Sequence, residues 1–369
     1  MNYLPLQGIR VVDLTSNIAA PFAGAILADL GADVVHVESR TGDDSRRMAP
    51  RIGEISAYWQ VVNRNKSVLR LDIREMEDRA QLEDLLSSAD VFLTNLRPDK
   101  LKKNGLDYQS LKQKFPRLVH AALSAYGAEG EESNRAGYDA VLQSRTGIAE
   151  ITGTADGPPV RTGVSVLDVG AGTWLALAVI TALYQRQTTG VGESVATSLF
   201  ETGANWVAYH VAANQVTSQP SGRFGSGHPA FSPYGIFPTK TSQICIGIGG
   251  DSIFQNFCKA IDLEHLIEDE KFATNPSRVA NDKELRSIIE KKLANISAEA
   301  LVRTLDAAGI ACDIVQRPED LLSDKQALAN KVMLQQEVED FGTLLFPGLP
   351  ITFNGERPVI RENKKPNHE

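Results

Sequence analysis

One aspartate stands where a carboxylate could be stored for attack. In Ala136-Gly137-Tyr138-Asp139-Ala140-Val141-Leu142-Gln143-Ser144-Arg145-Thr146-Gly147, Asp139 follows a Gly and opens an apolar, helix-like run. A helix beginning near Asp139 offers backbone N–H groups and the positive end of its dipole to that carboxylate, which suits either an N-cap or an ionised nucleophile. The stretch taken alone favours the cap. Asp168, at the start of a second helical run, reads as an N-cap on the same grounds.

Cations gather upstream at Arg40, Arg46, Arg47, Arg51, Arg64, Lys66, Arg70 and Arg74. Such a group is either a solvated face or a phosphate site built from guanidinium forks and an ammonium. Asn63-Arg64-Asn65-Lys66-Ser67 is its more pointed part, because short polar donors and cations precede a strand. Asn95-Leu96-Arg97-Pro98 falls just past another strand, where ligands of open α/β sheets bind.

The elements that must position these residues alternate. Ile9 to Leu14 reads as a buried strand, Pro21 to Leu30 as a helix with Pro in its first turn, and Asp33 to Glu38 as the next strand. That succession predicts a parallel crossover. Val68 to Asp72, Asp90 to Thr94 and Arg117 to Leu123 read as further strands, with a helix from about Met76 to Ser88. Glu38 ends the second strand where a dinucleotide site would hold a ribose. The first turn, Thr15-Ser16-Asn17-Ile18-Ala19-Ala20-Pro21, lacks G-x-G-x-x-G, so NAD is not expected. A small-residue helix from Asp168 to Arg186 follows; its uncharged run, Val169 to Gln185, reads as a buried packing helix rather than a membrane span. Ser194 to Phe200 is strand-like. Composition shifts near Gln219, and residues 220–325 read as a smaller α+β domain between a first part, 1–219, and a C-terminal return, 326–369. The apolar Leu344 to Phe353 is broken by Pro and Gly, and Asn363 to Glu369 is a polar tail.

Composition narrows the partners. The 369 residues are 42% hydrophobic and carry a formal net charge of -8, so nucleic acid and anionic membranes are disfavoured and an anion site has to be local. Cys245, Cys258 and Cys312 form no CxxC pair, which argues against a zinc site or a disulfide framework and suits a reducing, cytoplasmic compartment. No charged and apolar leader is read in MNYLPLQGIR.

Several motifs then fall in one order: Leu6 to Leu14, Ala19-Ala20-Pro21-Phe22-Ala23-Gly24, Leu27 to Val35, Asn63 to Ser67, Asn95 to Pro98, Gly137-Tyr138-Asp139, Thr189 to Glu193, Gly227-His228-Pro229 and Phe272 to Asn275. Together they resemble the family III CoA-transferases, the group of carnitine CoA-transferase and formyl-CoA transferase, from about Leu6 to Pro358. The resemblance implies a Rossmann-like α/β large domain built from both ends of the chain, a smaller α+β domain, and a homodimer of interlocked rings. It implies coenzyme A, as acyl-CoA substrate, and a carboxylic acid, with no metal and no NAD. Asp139 matches the family nucleophile, which attacks the thioester to give a mixed anhydride and then an aspartyl-CoA thioester. An aspartate is ordinarily ionised at neutral pH, so that chemistry needs no general base, only stabilisation of an oxyanion.

By the same resemblance Arg40, Asn65, Lys66, Arg70, Asn95, Arg97 and Tyr138 are expected at CoA. Phe224-Gly225-Ser226-Gly227-His228 corresponds to a glycine loop over the reactive centre, and equally reads as a domain linker; His228 reads as structural. Ile18 replaces a Gln of formyl-CoA transferase, which favours a bulkier or more apolar acyl group. The superfamily also holds the α-methylacyl-CoA racemases, which use a His directly before the matching Asp and a downstream Asp. Tyr138 replaces that His and leaves the acid/base pair incomplete. A silent CoA-binding protein is the reading outside enzymes.

Overall fold

The computed structural model describes residues 4–361; the tail read at Asn363 to Glu369 lies outside the described residues. The chain forms two compact units: the first takes residues up to Ile148, Arg161–Ala212 and the chain from Leu322 onward, the second Ala149–Val160 and Ala213–Leu321. Ala149–Val160, grouped by the sequence with the first part of the chain, lies in the second unit. The Gly225 N–H donates to the Gly153 carbonyl at 2.8 Å, and Arg223 pairs with Glu150.

In the first unit the strands are β1 (Arg10–Leu14), β2 (Asp33–Glu38), β3 (Arg51–Ile52), β4 (Ile55–Ser56), β5 (Ser67–Arg70), β6 (Val91–Thr94), β7 (Val119–Ser124) and β8 (Ser194–Ser198). Six of them form one sheet in the order β5-β2-β1-β6-β7-β8, with β3 and β4 apart as a small hairpin. All its neighbours run parallel, with Val12 opposite Val35 on one side and Phe92 on the other. Near-continuous apolar strands such as Val91-Phe92-Leu93-Thr94 belong in a sheet covered on both faces. Helices α1 (Ala19–Asp29), α2 (Ala57–Val62), α3 (Met76–Ser87), α4 (Pro98–Lys103) and α5 (Tyr108–Lys114) alternate with the strands.

Beyond β7 come α6 (Asp139–Arg145), α7 (Ile148–Ile151), α8 (Val166–Thr189) and α9 (Leu199–Trp206). α8 begins earlier than the sequence predicts: Ser165 is its N-cap, so Asp168 lies inside the first turn and is not the cap. By length and composition α8 could cross a membrane, but half of its most apolar stretch is buried within the protein. It packs on the Ala/Gly-rich α1, and the close approach needs Gly172, where a Cβ would lie 2.4 Å from the Ala19 carbonyl oxygen.

α10 (Ala208–Thr217) leads out of the first unit. In the second, β9 (Tyr234–Pro238), β10 (Gln243–Gly247) and β11 (Ala311–Ile314) form an antiparallel sheet in the order β11-β10-β9. Helices α11 (Asp251–Ala260), α12 (Asn275–Ala280), α13 (Asp282–Leu293) and α14 (Ala298–Ala307) enclose a core of Phe237, Ile244, Ile246, Phe254, Phe257, Leu285 and Ile289. In the first unit again, β12 (Met333–Val338) and β13 (Gly342–Pro347) pair as a hairpin. The sequence showed only a broken apolar run there.

Candidate active site

A cavity of about 540 Å³ opens at the carboxyl ends of β1, β6, β7 and β8. From β1 the chain builds outward to β2 and β5, then crosses back to β6 and builds the other way, so β1 and β6 flank a topological switch point. Ser16, Asn17, Ile18 and Ala19 line one wall, Asn95, Leu96 and Arg97 another. Asn95 joins the two: its amide N–H donates to the Ser16 carbonyl at 2.8 Å, and the Ser16 N–H donates to Asn95 Oδ1 at 3.1 Å. Both functions of that amide are taken by the protein, so Asn95 shapes the wall. Ile18 is the N-cap of α1 and supplies no side-chain acceptor, which leaves N-terminal N–H groups of α1 at the cavity.

Asp139 is the first residue of α6, and Tyr138 is its N-cap. The Asp139 carboxylate does not cap its own helix; it reaches the start of α8. Its Oδ2 accepts the Leu167 N–H at 2.7 Å and the Asp168 N–H at 3.3 Å, and its Oδ1 accepts the Gln143 amide at 2.5 Å. Gln143 is held in turn, because its Oε1 accepts the Thr162 N–H at 2.9 Å and the Thr162 hydroxyl at 3.3 Å. Three donors, two of them backbone N–H groups at a helix N-terminus, hold this buried carboxylate without an ion pair. Asp139 is only 6% exposed, while Tyr138 and Asp168 stand on the cavity wall beside it. Gln143 was not singled out from the sequence, although its place one turn after Asp139 was a visible signal.

Asp168 adds a second carboxyl. Burial, with the Asp139 charge beside it, pushes the Asp168 carboxyl up to about 7. Two neighbouring carboxyls thus stand in different environments: one is wrapped in donors, the other faces the cavity.

The cations expected at CoA separate. Arg97 and Lys100 line the cavity, and Leu96 and Lys100 also line a second hollow of about 360 Å³ that holds Arg40, Leu71, Asp72, Ile73 and Arg74. Arg40 is exposed and paired with Asp78 at 2.8 Å; Arg70 is largely exposed, 3.8 Å from Glu38, outside both hollows. Lys100 was not among the expected residues, though it lies on the first turn of the helix that Arg97 caps. Arg135 also lines the cavity, stacked on Tyr126.

Lys66 and Asn65 require a correction. Lys66 is buried, and its ammonium donates to Asp13 Oδ2 at 2.8 Å, the Pro21 carbonyl at 2.7 Å and Asn63 Oδ1 at 2.8 Å. All three N–H bonds are taken and none is left for a phosphate. Burial pushes the Asp13 carboxyl up, but Lys66 and His36 outweigh it and hold the group well below the usual carboxylate range. The Asn65 amide donates to Asp29 Oδ1 at 2.8 Å, and its Oδ1 accepts the Arg361 N–H at 2.6 Å, tying down the C-terminal stretch. Both residues are framework.

Gly225, Gly227 and His228 belong to the second unit. There Gly225 takes a φ of +60°, and His228 Nδ1 accepts the Ala230 N–H at 3.1 Å while its ring stacks on Phe231. His228 is thus engaged within its own loop.

Comparison with known proteins gives the family. The model of CoA-transferase family III matches residues 6–369. The chain belongs to that family and is an enzyme of its kind. Among its relatives, human succinyl-CoA:glutarate CoA-transferase is 33% identical over 96% of this chain and 81% of its own. Succinate–glutarate CoA-transferase of Agrobacterium fabrum is 32% identical over 98% and 92%. Acetyl-CoA:oxalate CoA-transferase of Acetobacter aceti is 30% identical over 96% and 92%. In structure, a CAIB/BAIF family protein from Brucella suis superposes with a TM-score of 0.87 at 30% identity, covering 98% of this chain and 96% of that one.

Proposed function

We propose that the protein moves CoA from an acyl-CoA donor to a carboxylic acid through covalent intermediates on Asp139. The observation that carries this reading is the Asp139 carboxylate held by two backbone N–H groups and the Gln143 amide beside a cavity at the switch point of the sheet. One carboxylate oxygen attacks the thioester carbon and expels the CoA thiolate, leaving a mixed anhydride. The thiolate then attacks the Asp139 carbonyl carbon, releases the donor acid and leaves an aspartyl-CoA thioester. The acceptor carboxylate reverses both steps. In each attack on the Asp139 carbonyl its oxygen gains charge, and the Leu167 and Asp168 N–H groups are already aimed at that oxygen. Arg97, Lys100 and Arg40 are spaced along the two adjoining hollows to meet CoA phosphates, and the Tyr138 ring, largely exposed, forms wall beside the reactive carbon.

The relatives named for succinyl, glutarate and oxalate substrates favour a small dicarboxylic acid here, whereas Ile18 favours an apolar one. A matrix of succinyl-, glutaryl-, acetyl- and branched acyl-CoA donors against the corresponding acids decides between them. The mechanism itself is tested by trapping with hydroxylamine: an adduct is expected on the peptide containing Asp139 and absent from Asp139→Asn. Transfer that survives in Asp139→Asn overturns it. Deuterium entering the α-carbon without acid exchange would instead mark a racemase, for which Tyr138 supplies no second base.

A further inference from the structure

Asp168 is not used by the chemistry above except through its backbone N–H. Its side chain lines the cavity and takes part in no hydrogen bond or ion pair among the described residues, while its own backbone N–H donates to the Asp139 carboxylate at 3.3 Å. We propose that Asp168 is a second catalytic residue: in its protonated form its O–H donates to the reacting acyl oxygen of the bound substrate as that oxygen becomes an oxyanion. This inference rests on the covalent reading of Asp139.

The physical case is one of complementary halves. The Leu167 and Asp168 N–H groups are committed to the Asp139 oxygen, so they serve the enzyme's own carbonyl. The substrate's carbonyl needs a separate donor during attack on the thioester and on the anhydride. A carboxyl beside an ionised carboxylate and partly buried keeps its proton, because two adjacent charges in a dry site repel. Burial and Asp139 push Asp168 up to about 7, so it is largely protonated in mildly acidic solution and partly so near neutrality. The carboxyl takes part in no side-chain hydrogen bond among the described residues and lines the cavity, where its O–H is available to a bound substrate. No net proton transfer is needed. The hydrogen bond tightens as the C=O bond opens to the tetrahedral oxyanion, and relaxes as the C–S bond breaks and the electron pair leaves on sulfur.

Few other groups can blur the titration. Asp139 faces Asp168 from α6, and Tyr138, Arg97, Lys100 and Arg135 stand around the cavity. From α9, Glu201 is engaged by Ser198; on β7, His120 is bonded to the Leu106 carbonyl; on α1, Asp29 is paired with Arg64.

The test is kcat/KM for CoA transfer from pH 5.5 to 9 in the whole enzyme, with Asp168→Asn and Asp168→Ala, and with hydroxylamine trapping at Asp139 in each sample. The wild type is expected to lose about tenfold per pH unit above the Asp168 pKa. Asp168→Asn, which keeps an N–H donor and cannot ionise, is expected to hold within about tenfold of the neutral rate and to lose the alkaline limb. Asp168→Ala is expected to fall by roughly 10²-fold in kcat with KM for CoA little changed. An alkaline limb that persists in Asp168→Asn, or an Asp168→Ala enzyme as fast as wild type, overturns the assignment while Asp139 is still trapped. Failure to trap Asp139 in the wild type overturns the covalent reading instead.

Discussion

The Asp139 carboxylate is held by donors that are aligned before substrate arrives. Asp139→Asn preserves the shape but turns a nucleophile into an amide, and transfer is expected to drop on the order of 10⁴-fold in a steady-state assay. Gln143→Leu removes the donor to Oδ1 and leaves the Thr162 N–H without its acceptor. Since a hydrogen bond to a charged group is worth about 1.5–3 kcal/mol, kcat should fall roughly 10- to 100-fold. A Gln143→Leu enzyme with wild-type kcat would mean that Oδ1 needs no support. Asp139 was legible from the sequence as a candidate; its partners were not. Leu167 and Asp168 contribute backbone N–H groups, which carry no side-chain signature, and they lie 28 and 29 positions away.

At the scale of elements, β1, β2 and the turn that leads into β5 meet through a buried cluster around one ion pair. Lys66 follows α2, Asp13 lies on β1, and His36 on β2 stands 3.3 Å from Asp13. Breaking such a pair leaves an uncompensated buried charge at a cost of about 3–5 kcal/mol. Lys66→Met is therefore expected to lower the denaturation midpoint strongly in chemical unfolding, with KM for CoA unaltered in whatever enzyme remains folded. A selective rise in KM without loss of stability would restore Lys66 as a phosphate ligand. The α1–α8 contact makes a parallel case: Gly172→Val places atoms against the Ala19 carbonyl, an overpacking that costs about 1–3 kcal/mol and shifts the N-terminus of α1 at the cavity.

For the whole molecule, the raised carboxyl of Asp168 links stability to pH. The folded protein holds this proton up to about 7, whereas the unfolded chain releases it near 3.8. The group therefore contributes stability that is full below pH 3.8, declines as pH rises between those values and is gone above them. Thermal unfolding is expected to show Asp168→Asn gaining over wild type at pH 8 and matching it more closely at pH 5. A constant difference across that range would sink the linkage. Asp13 acts in the opposite sense, since its depressed carboxyl supplies stability that is lost only on strong acidification. Along α8 and α9, Trp174, Leu177 and Trp206 are exposed and line one apolar hollow with Val169, the kind of surface a second copy would cover. Sedimentation is expected to find a dimer; a monomer at working concentration would argue against the family's interlocked assembly here.

The sequence by itself determined the alternation of parallel strands and helices, because apolar runs and small-residue helices are local patterns. It also marked Asp139 at a helix start, and Arg97 and Ile18 just past strand ends. Tertiary structure alone decided which polar groups meet. Lys66 read as a phosphate ligand until Asp13, 53 positions earlier, proved to occupy it. Asp168 read as a helix cap until the fold set it beside another carboxylate, and only that neighbour and its burial give its proton a use.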